Sequence, residues 1–419
     1  MTIHLEGNNR PVRAEHDGVS VRVVGELPAD LAGTFVRNGP NPRSGWSPHL
    51  YAGDGMVHSV ELPEGRYRNR WVRTPLFDDA SVRRDGLLVT TANTHVIAHA
   101  GRLLALEEGG LPYEITTRLE TVGPFDFAGA LAGPMTAHPK TCPVTGELLF
   151  FGYSIGPPFL TYYRVDPDGH LVQAVPVDLP APSMMHDFAI TRTRVVFFES
   201  PFVFDRSLAA TGFPWRWDAE HGASIGVMDR SGGPVRWMRV RTGHLSHAAN
   251  AWDDGDAVVL TGTRIGEPTA LPLLHEWRID PVAGTVDEQP LWDTPTEYPR
   301  LADRFTGHEN RFVYTTSFFF TAEPDHGEIN KHDRTTTRSH RLPAGHTCGE
   351  AVHVAHSTRA EDDGYLLTFA HDLVEGASYL LVLDSATLEK LAEVHLPHRV
   401  PGGFHGSWLP SGALVMSSR

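Results

Sequence analysis

The chain has 419 residues, with 36 Lys and Arg against 51 Asp and Glu, a net charge of −15 at pH 7. That balance argues against a nucleic-acid partner, and 41% hydrophobic content supports a large core rather than disorder. Two cysteines beside 24 histidines exclude a disulfide framework and a thiolate cluster, so any metal site rests on His, Asp and Glu.

No run of 18 apolar residues is present, which excludes a transmembrane helix. The opening MTIHLEGNNRPVRAEHDG lacks the apolar core of a signal peptide. Together with the low Cys count this points to a cytoplasmic protein with at most peripheral membrane contact. No Pro/Ser/Gly linker or charged tract divides the chain, so a single domain over 1–419 is expected.

Along the chain one pattern recurs: alternating apolar residues, a turn, then a second alternating run. Weaker copies lie near Glu64 in PEGRYRNRW and near Thr116 in EITTRLETV. Clearer ones follow around Asp166 (YYRVDPDGHLVQ), Asp229 (IGVMDRSGGPVRW), Asp280 (EWRIDPVAGTVDE), Asp333 (INKHDRTTTRSHRL) and Asp384 (YLLVLDSATLEKLAEV). Period-2 alternation flanking a turn is a hairpin signature. The markers are 50 to 63 residues apart, room for four short strands each. Seven such units predict an all-β chain folded as a seven-bladed β-propeller, with loops and short helices capping one face. A sandwich or barrel with accidental spacing is the alternative. Helical pattern is confined to ADLAG and SATLEKLAE.

A propeller gathers equivalent positions of its inner strands around one axis. His138, His186, His247 and His405 fall 18 to 22 residues after their markers, and His353 shares that phase. Neutral imidazoles converging on an axis suit Fe, Zn, Cu or Ni. A single His in a strand is ordinarily a surface or hydrogen-bonded core residue; the shared phase is what raises these above it. Glu297 and Glu350 share a second phase, 17 residues after their markers. Carboxylates there could accept the second ring N–H of a metal-bound His. Three aromatic groups are candidates for an apolar tunnel or for plain core: Phe213-Pro-Trp215-Arg-Trp217, Phe318-Phe319-Phe320, and Phe159 with Tyr162. The first departs most from strand alternation and reads as a loop.

From GTFVRNGPNP (33–42) to GFHGSW (403–408) the chain resembles the carotenoid cleavage oxygenase family. Pro134-Met-Thr-Ala-His138, Met185-His186-Asp187, Ser246-His247-Ala-Ala-Asn250 and Gly403-Phe404-His405-Gly406 resemble its ordered histidine motifs. The resemblance implies a propeller enzyme with Fe(II) on His138, His186, His247 and His405 over the axis. It implies carboxylate support from Glu297, Glu350 and, before a Leu-Pro-Tyr element, Glu108. It sets His353 aside and leaves His138 without a carboxylate. The implied reaction is O2-dependent cleavage of a C=C bond in a small apolar or aromatic conjugated alkene to two carbonyl products, with no other catalytic residue and no protein partner. A carotenoid or apocarotenoid is the first choice of substrate, and a phenylpropenoid or stilbene the alternative. The stilbene-cleaving branch uses a Tyr and a Lys, which would fall near Trp71 and at Glu107; neither matches. Where the family often has two Asp, this chain has Ala52 and Asp54, and Asp54-Gly55 reads as a tight structural turn. More distant readings are a metal-dependent propeller hydrolase and a non-catalytic binding propeller.

Overall fold

The computed structural model describes residues 3–79, 90–211, 213–317, 327–356 and 360–412. Strands dominate, in seven antiparallel sheets of four to six strands and one two-stranded hairpin. Each repeat marker stands at the outer hairpin of its own sheet. Asp166, for example, separates Leu160–Val165 from Leu171–Val177, and Asp384 ends Ala377–Asp384 before Lys390–His395. The cause is local. Asp166 Oδ1 accepts from the backbone N–H of Asp168 at 3.0 Å and of His170 at 2.8 Å, and Gly169 takes the positive φ the turn needs. Asp280 and Asp384 cap their turns in the same way. The seven sheets are the blades of the expected propeller.

Numbered in chain order, blades 2 to 6 have inner strands His95–His99, Lys140–Thr141, Phe188–Ile190, His244–Asp254 and Glu297–Arg300. Blade 7 has two inner segments, His346–Cys348 and Val352–Ala355, both paired with Gly364–Asp372. Blade 1 is assembled from distant sequence: Gly406–Pro410 pairs with Gly33–Pro40, placing Gly406 opposite Arg37.

Apolar clusters lie between neighbouring blades rather than in one central core. Phe150 joins Leu104 and Leu106 of blade 2, while Phe151 next to it joins Phe188 and Phe197 of blade 4. Successive strand residues point to opposite faces, and here both faces are covered. The middle strand Leu148–Tyr153 is buried at every position as a result. Phe150→Ala would open one inter-blade cluster at a cost of about 3–5 kcal/mol.

Two expectations need correction. ADLAG and SATLEKLAE are not helical: Asp384 caps a turn in the second, Leu388 takes φ +64°, and Lys390–His395 continues as an outer strand. The Phe-Pro-Trp-Arg-Trp segment is not a loop. Trp215–Trp217 pairs with Phe202–Phe204 as a hairpin inserted at 200–222, between the second and third strands of blade 4. The helical pieces that do form are short, such as Leu50–Ala52, Pro75–Asp78 and Arg206–Thr211. Among the described residues no helix is long and apolar enough to cross a membrane.

Candidate metal centre

The inner strands begin at one end of the propeller, and that end carries the histidines. His138 stands just before the inner strand of blade 3, His186 just before that of blade 4, and His247 early in that of blade 5. His405 immediately precedes the strand that closes blade 1. Their rings meet: His138 lies 4.5, 5.1 and 4.6 Å (centroid to centroid) from His186, His247 and His405. His186–His247 and His247–His405 are 5.0 and 4.9 Å apart.

Three of the four have a carboxylate behind them. His247 Nδ1 donates to Glu297 Oε2 at 2.7 Å, and His405 Nδ1 to Glu350 Oε1 at 3.1 Å. His186 Nδ1 lies against Glu108 Oε1. Glu297 opens the inner strand of blade 6, and Glu350 lies between the two inner segments of blade 7. Glu108 arrives differently, from the 107–112 connection of blade 2. Among the described residues no carboxylate is hydrogen-bonded or ion-paired to His138; the hydroxyl of Thr136 instead accepts from its backbone N–H at 3.1 Å.

Burial favours the neutral imidazole at His138 and His405, and neighbouring groups keep Glu297 and Glu350 ionised. Burial, then the three neighbouring rings, hold His138 well below the usual His range. Burial lowers His405 as well, outweighing Glu350. At His186 burial acts downward, but Glu108 more than offsets it and the net shift is up. Burial alone would raise Glu297; the His247 ring overrides it and holds the carboxyl at about 2. Glu350 is depressed against its burial by Arg300 and His405.

These residues fit a cation. With Nδ1 of His186 and His247 turned to carboxylates, their Nε2 atoms face each other 3.2 Å apart, where a cation or a shared proton would satisfy the pair. His138 Nε2 is buried with no hydrogen-bond partner, a costly state that ligation would relieve. Ligand atoms of His138, His247 and His405 fall within 4.8 Å of one another. An all-imidazole set suits a transition metal rather than Ca²⁺ or Mg²⁺.

The family model described as RPE65, retinal pigment epithelial membrane protein, matches residues 9–410. The carotenoid cleavage oxygenase of Mycobacterium tuberculosis is 35% identical, over 97% of this chain and 97% of its own. The chain belongs to the carotenoid cleavage oxygenase family. It is accordingly an oxygenase. The isoeugenol monooxygenase of Pseudomonas nitroreducens is 32% identical over 97% of this chain and 98% of its own. The crystal structure of Pseudomonas brassicacearum lignostilbene dioxygenase superposes with a TM-score of 0.91 at 28% identity, covering 98% of this chain and 99% of that one. Cobalt-substituted Synechocystis ACO superposes at 0.86 and 26% identity, covering 96% and 97%. Metal binding is thus a property of the family.

In this oxygenase, His186, His247 and His405 floor a cavity of about 1270 Å³. Of the tunnel candidates, Glu107, Phe213 and Trp215 line it. Trp71 does not: it ends a strand of blade 1 on the inward face, packs with Met56 and Phe77, and donates its indole N–H to Asn41 O at 2.9 Å. Phe159 does not either; it sits in the turn of a blade 3 hairpin, where Leu160 pairs with Tyr153. Tyr162 is fully buried core. Phe318, Phe319 and Phe320 lie outside the described residues. His353 is stacked on Tyr314 between blades 6 and 7, three residues beyond Glu350 along the inner segments. Asp54 accepts from Arg43 N at 2.8 Å and, with Ala52, lies in the cavity lining. Gly55, however, opens a strand rather than a turn, and a Cβ there would meet Ala92 O at 2.4 Å.

Three residues at the centre escaped the sequence reading. His95 takes the axial position of blade 2, with Nδ1 on Ala137 O at 2.9 Å and Nε2 on Ser407 Oγ at 3.0 Å. Tyr298 packs 5.5 Å from His247 and 5.6 Å from His405. Tyr153 donates to Glu108 Oε2 at 2.7 Å. His95 stands much further from its marker than the other candidates do, and a lone Tyr in a strand carries no chemical signature; neither gives a signal in sequence.

Proposed function

We propose that this chain uses O2 to cleave a C=C bond of a conjugated alkene, with Fe(II) held by His138, His186, His247 and His405. The observation that carries this is the convergence of four imidazoles, with ring centroids 4.5 to 5.1 Å apart, around a buried His138 Nε2 that has no hydrogen-bond partner among the described residues. Glu108, Glu297 and Glu350 fix the ring orientations and keep the Nδ1 protons off the axis. Iron(II) bound there supplies a redox-active centre that reacts with O2. The chain's own contribution is to seat the alkene against this floor and exclude water from it. The chain works as one unit, since both of its ends close the ring: Gly406–Pro410 joins Gly33–Pro40 in blade 1 and Arg22–Gly25 joins Lys390–His395 in blade 7.

A carotenoid or apocarotenoid is the favoured substrate: a cavity of about 1270 Å³ exceeds the roughly 300–1,000 Å³ of ordinary ligand pockets and suits an extended chain. The second reading, a phenylpropenoid or stilbene, draws on the isoeugenol and lignostilbene relatives. Anaerobic iron loading followed by O2 exposure with a β-apocarotenal, a hydroxystilbene and isoeugenol separates them, with aldehyde products identified by mass. Cleavage of the first alone supports the favoured reading; cleavage of only the others replaces it; no cleavage with iron bound refutes both.

A further inference from the structure

The three carboxylates behind the histidines are not held alike. Glu350 receives the backbone N–H of Gly406 at 2.8 Å and lies 3.5 Å from Arg300 Nη1. Glu297 receives the backbone N–H of Tyr298, and the Thr263 hydroxyl lies 3.2 Å away. Glu297 opens the inner strand of blade 6, and Glu350 lies in the three-residue break between the two inner segments of blade 7. Glu108 sits in a connection between strands, and no backbone donor reaches its carboxylate among the described residues. Its second donor is the Tyr153 phenol, 2.7 Å from Oε2, while Oε1 faces His186. Tyr153 is itself well fixed: it ends the fully buried strand Leu148–Tyr153, is 8% exposed, and packs 5.6 Å from the Trp215 ring. Burial and the adjacent Glu108 push its hydroxyl well above the usual Tyr range, so the phenol is a permanent donor.

We propose that Tyr153 is a positioning residue of the metal site, holding Glu108 in the orientation that aims His186 Nε2 at the axis. It does for Glu108 what a backbone N–H does for Glu297 and Glu350. The proposal rests on the four-histidine reading above. Among the described residues Tyr153 makes no hydrogen bond or ring contact with the four histidines, so its effect on the metal passes through Glu108.

Titration of the metal-free full-length chain with Co(II), read by visible absorption and by competition with a chelator, tests it. Tyr153→Phe keeps the ring and removes the donor. It is expected to weaken Co(II) binding about 10-fold, in the range for groups that orient metal ligands, and to displace the Co(II) bands. Glu108→Gln is expected to do at least as much. The double variant should bind no more weakly than Glu108→Gln, because the two residues form one arm. Tyr153→His restores a donor and recovers part of the affinity; it carries the test by itself if the Phe variant does not fold. Wild-type affinity and bands in Tyr153→Phe would overturn the proposal and leave the metal reading standing. So would additive losses in the double variant. A wild-type chain that binds no Co(II) would sink the metal reading and this inference together.

Discussion

His186, His247 and His405 reach the cavity floor from the beginnings of inner strands, with the His138 ring packed against all three, whereas Phe213 and Trp215 reach its wall from an insertion in blade 4. The floor belongs to the repeat. Each of its side chains is placed by a strand paired on the blade side and flanked by two neighbouring blades, so its position is set by the whole ring. The wall belongs to one hairpin and to connections such as 107–112. A floor set by the ring suits chemistry that needs fixed ligands, and a wall set by insertions can change shape without moving those ligands.

Substitutions should separate the two. The largest effect is expected from His247→Ala or His405→Ala: metal content falls to background and activity disappears, measured by metal analysis and product formation. Retained iron at full occupancy in either variant would remove that residue from the floor. Next comes Glu350→Gln, which leaves the ring in place but loosens it; metal affinity should drop about 10- to 100-fold, read by chelator competition. On the wall, Phe213→Ala removes an aromatic worth about 1.5–3 kcal/mol when buried. KM should rise about 10-fold while metal content stays constant. A loss of metal there would erase the distinction between floor and wall. Smallest is a test of the scaffold alone. Burial would raise Glu288 in blade 5, but His275, Arg241 and Arg264 hold it at about 2 against an ordinary 4.5. Its contribution to stability is present above pH 4.5 and lost as pH falls toward 2. Glu288→Gln should flatten the urea-unfolding midpoint over that interval and leave metal content and KM unchanged.

The same contrast explains what the sequence revealed. The turn markers were legible because Asp and Gly at the outer hairpins have a backbone reason to be there, and they recur once per blade. The four histidines, with Glu297 and Glu350, were legible because they ride on that recurrence. Glu108 was not; it lies outside the phase, and the ordered family motifs found it. His353 shows the limit of phase: a strand fixes which residues point to a face but leaves depth along the axis open. Trp71 and Phe159 were misplaced because an aromatic at a strand end or in a hairpin turn reads alike in sequence whether it faces a cavity or a core. Tyr153 and the hairpin at 200–222 depend on contacts between distant segments, which no local pattern records.

His405 adjoins the strand at 406–410 that completes blade 1, with Gly406 opposite Arg37. The candidate ligand latest in the chain therefore sits at one of the two seams of the ring, the other being Arg22–Gly25 on Lys390–His395 in blade 7, and it faces three imidazoles contributed by blades 3, 4 and 5. A metal seated on all four would tie that seam to blades 3, 4 and 5, and would bind only the closed form at full strength. By mass action such a ligand favours closure by the ratio of its concentration to its dissociation constant. The metal would then serve the enzyme twice, as reagent and as a rivet through the joint where the circle of blades was sewn shut.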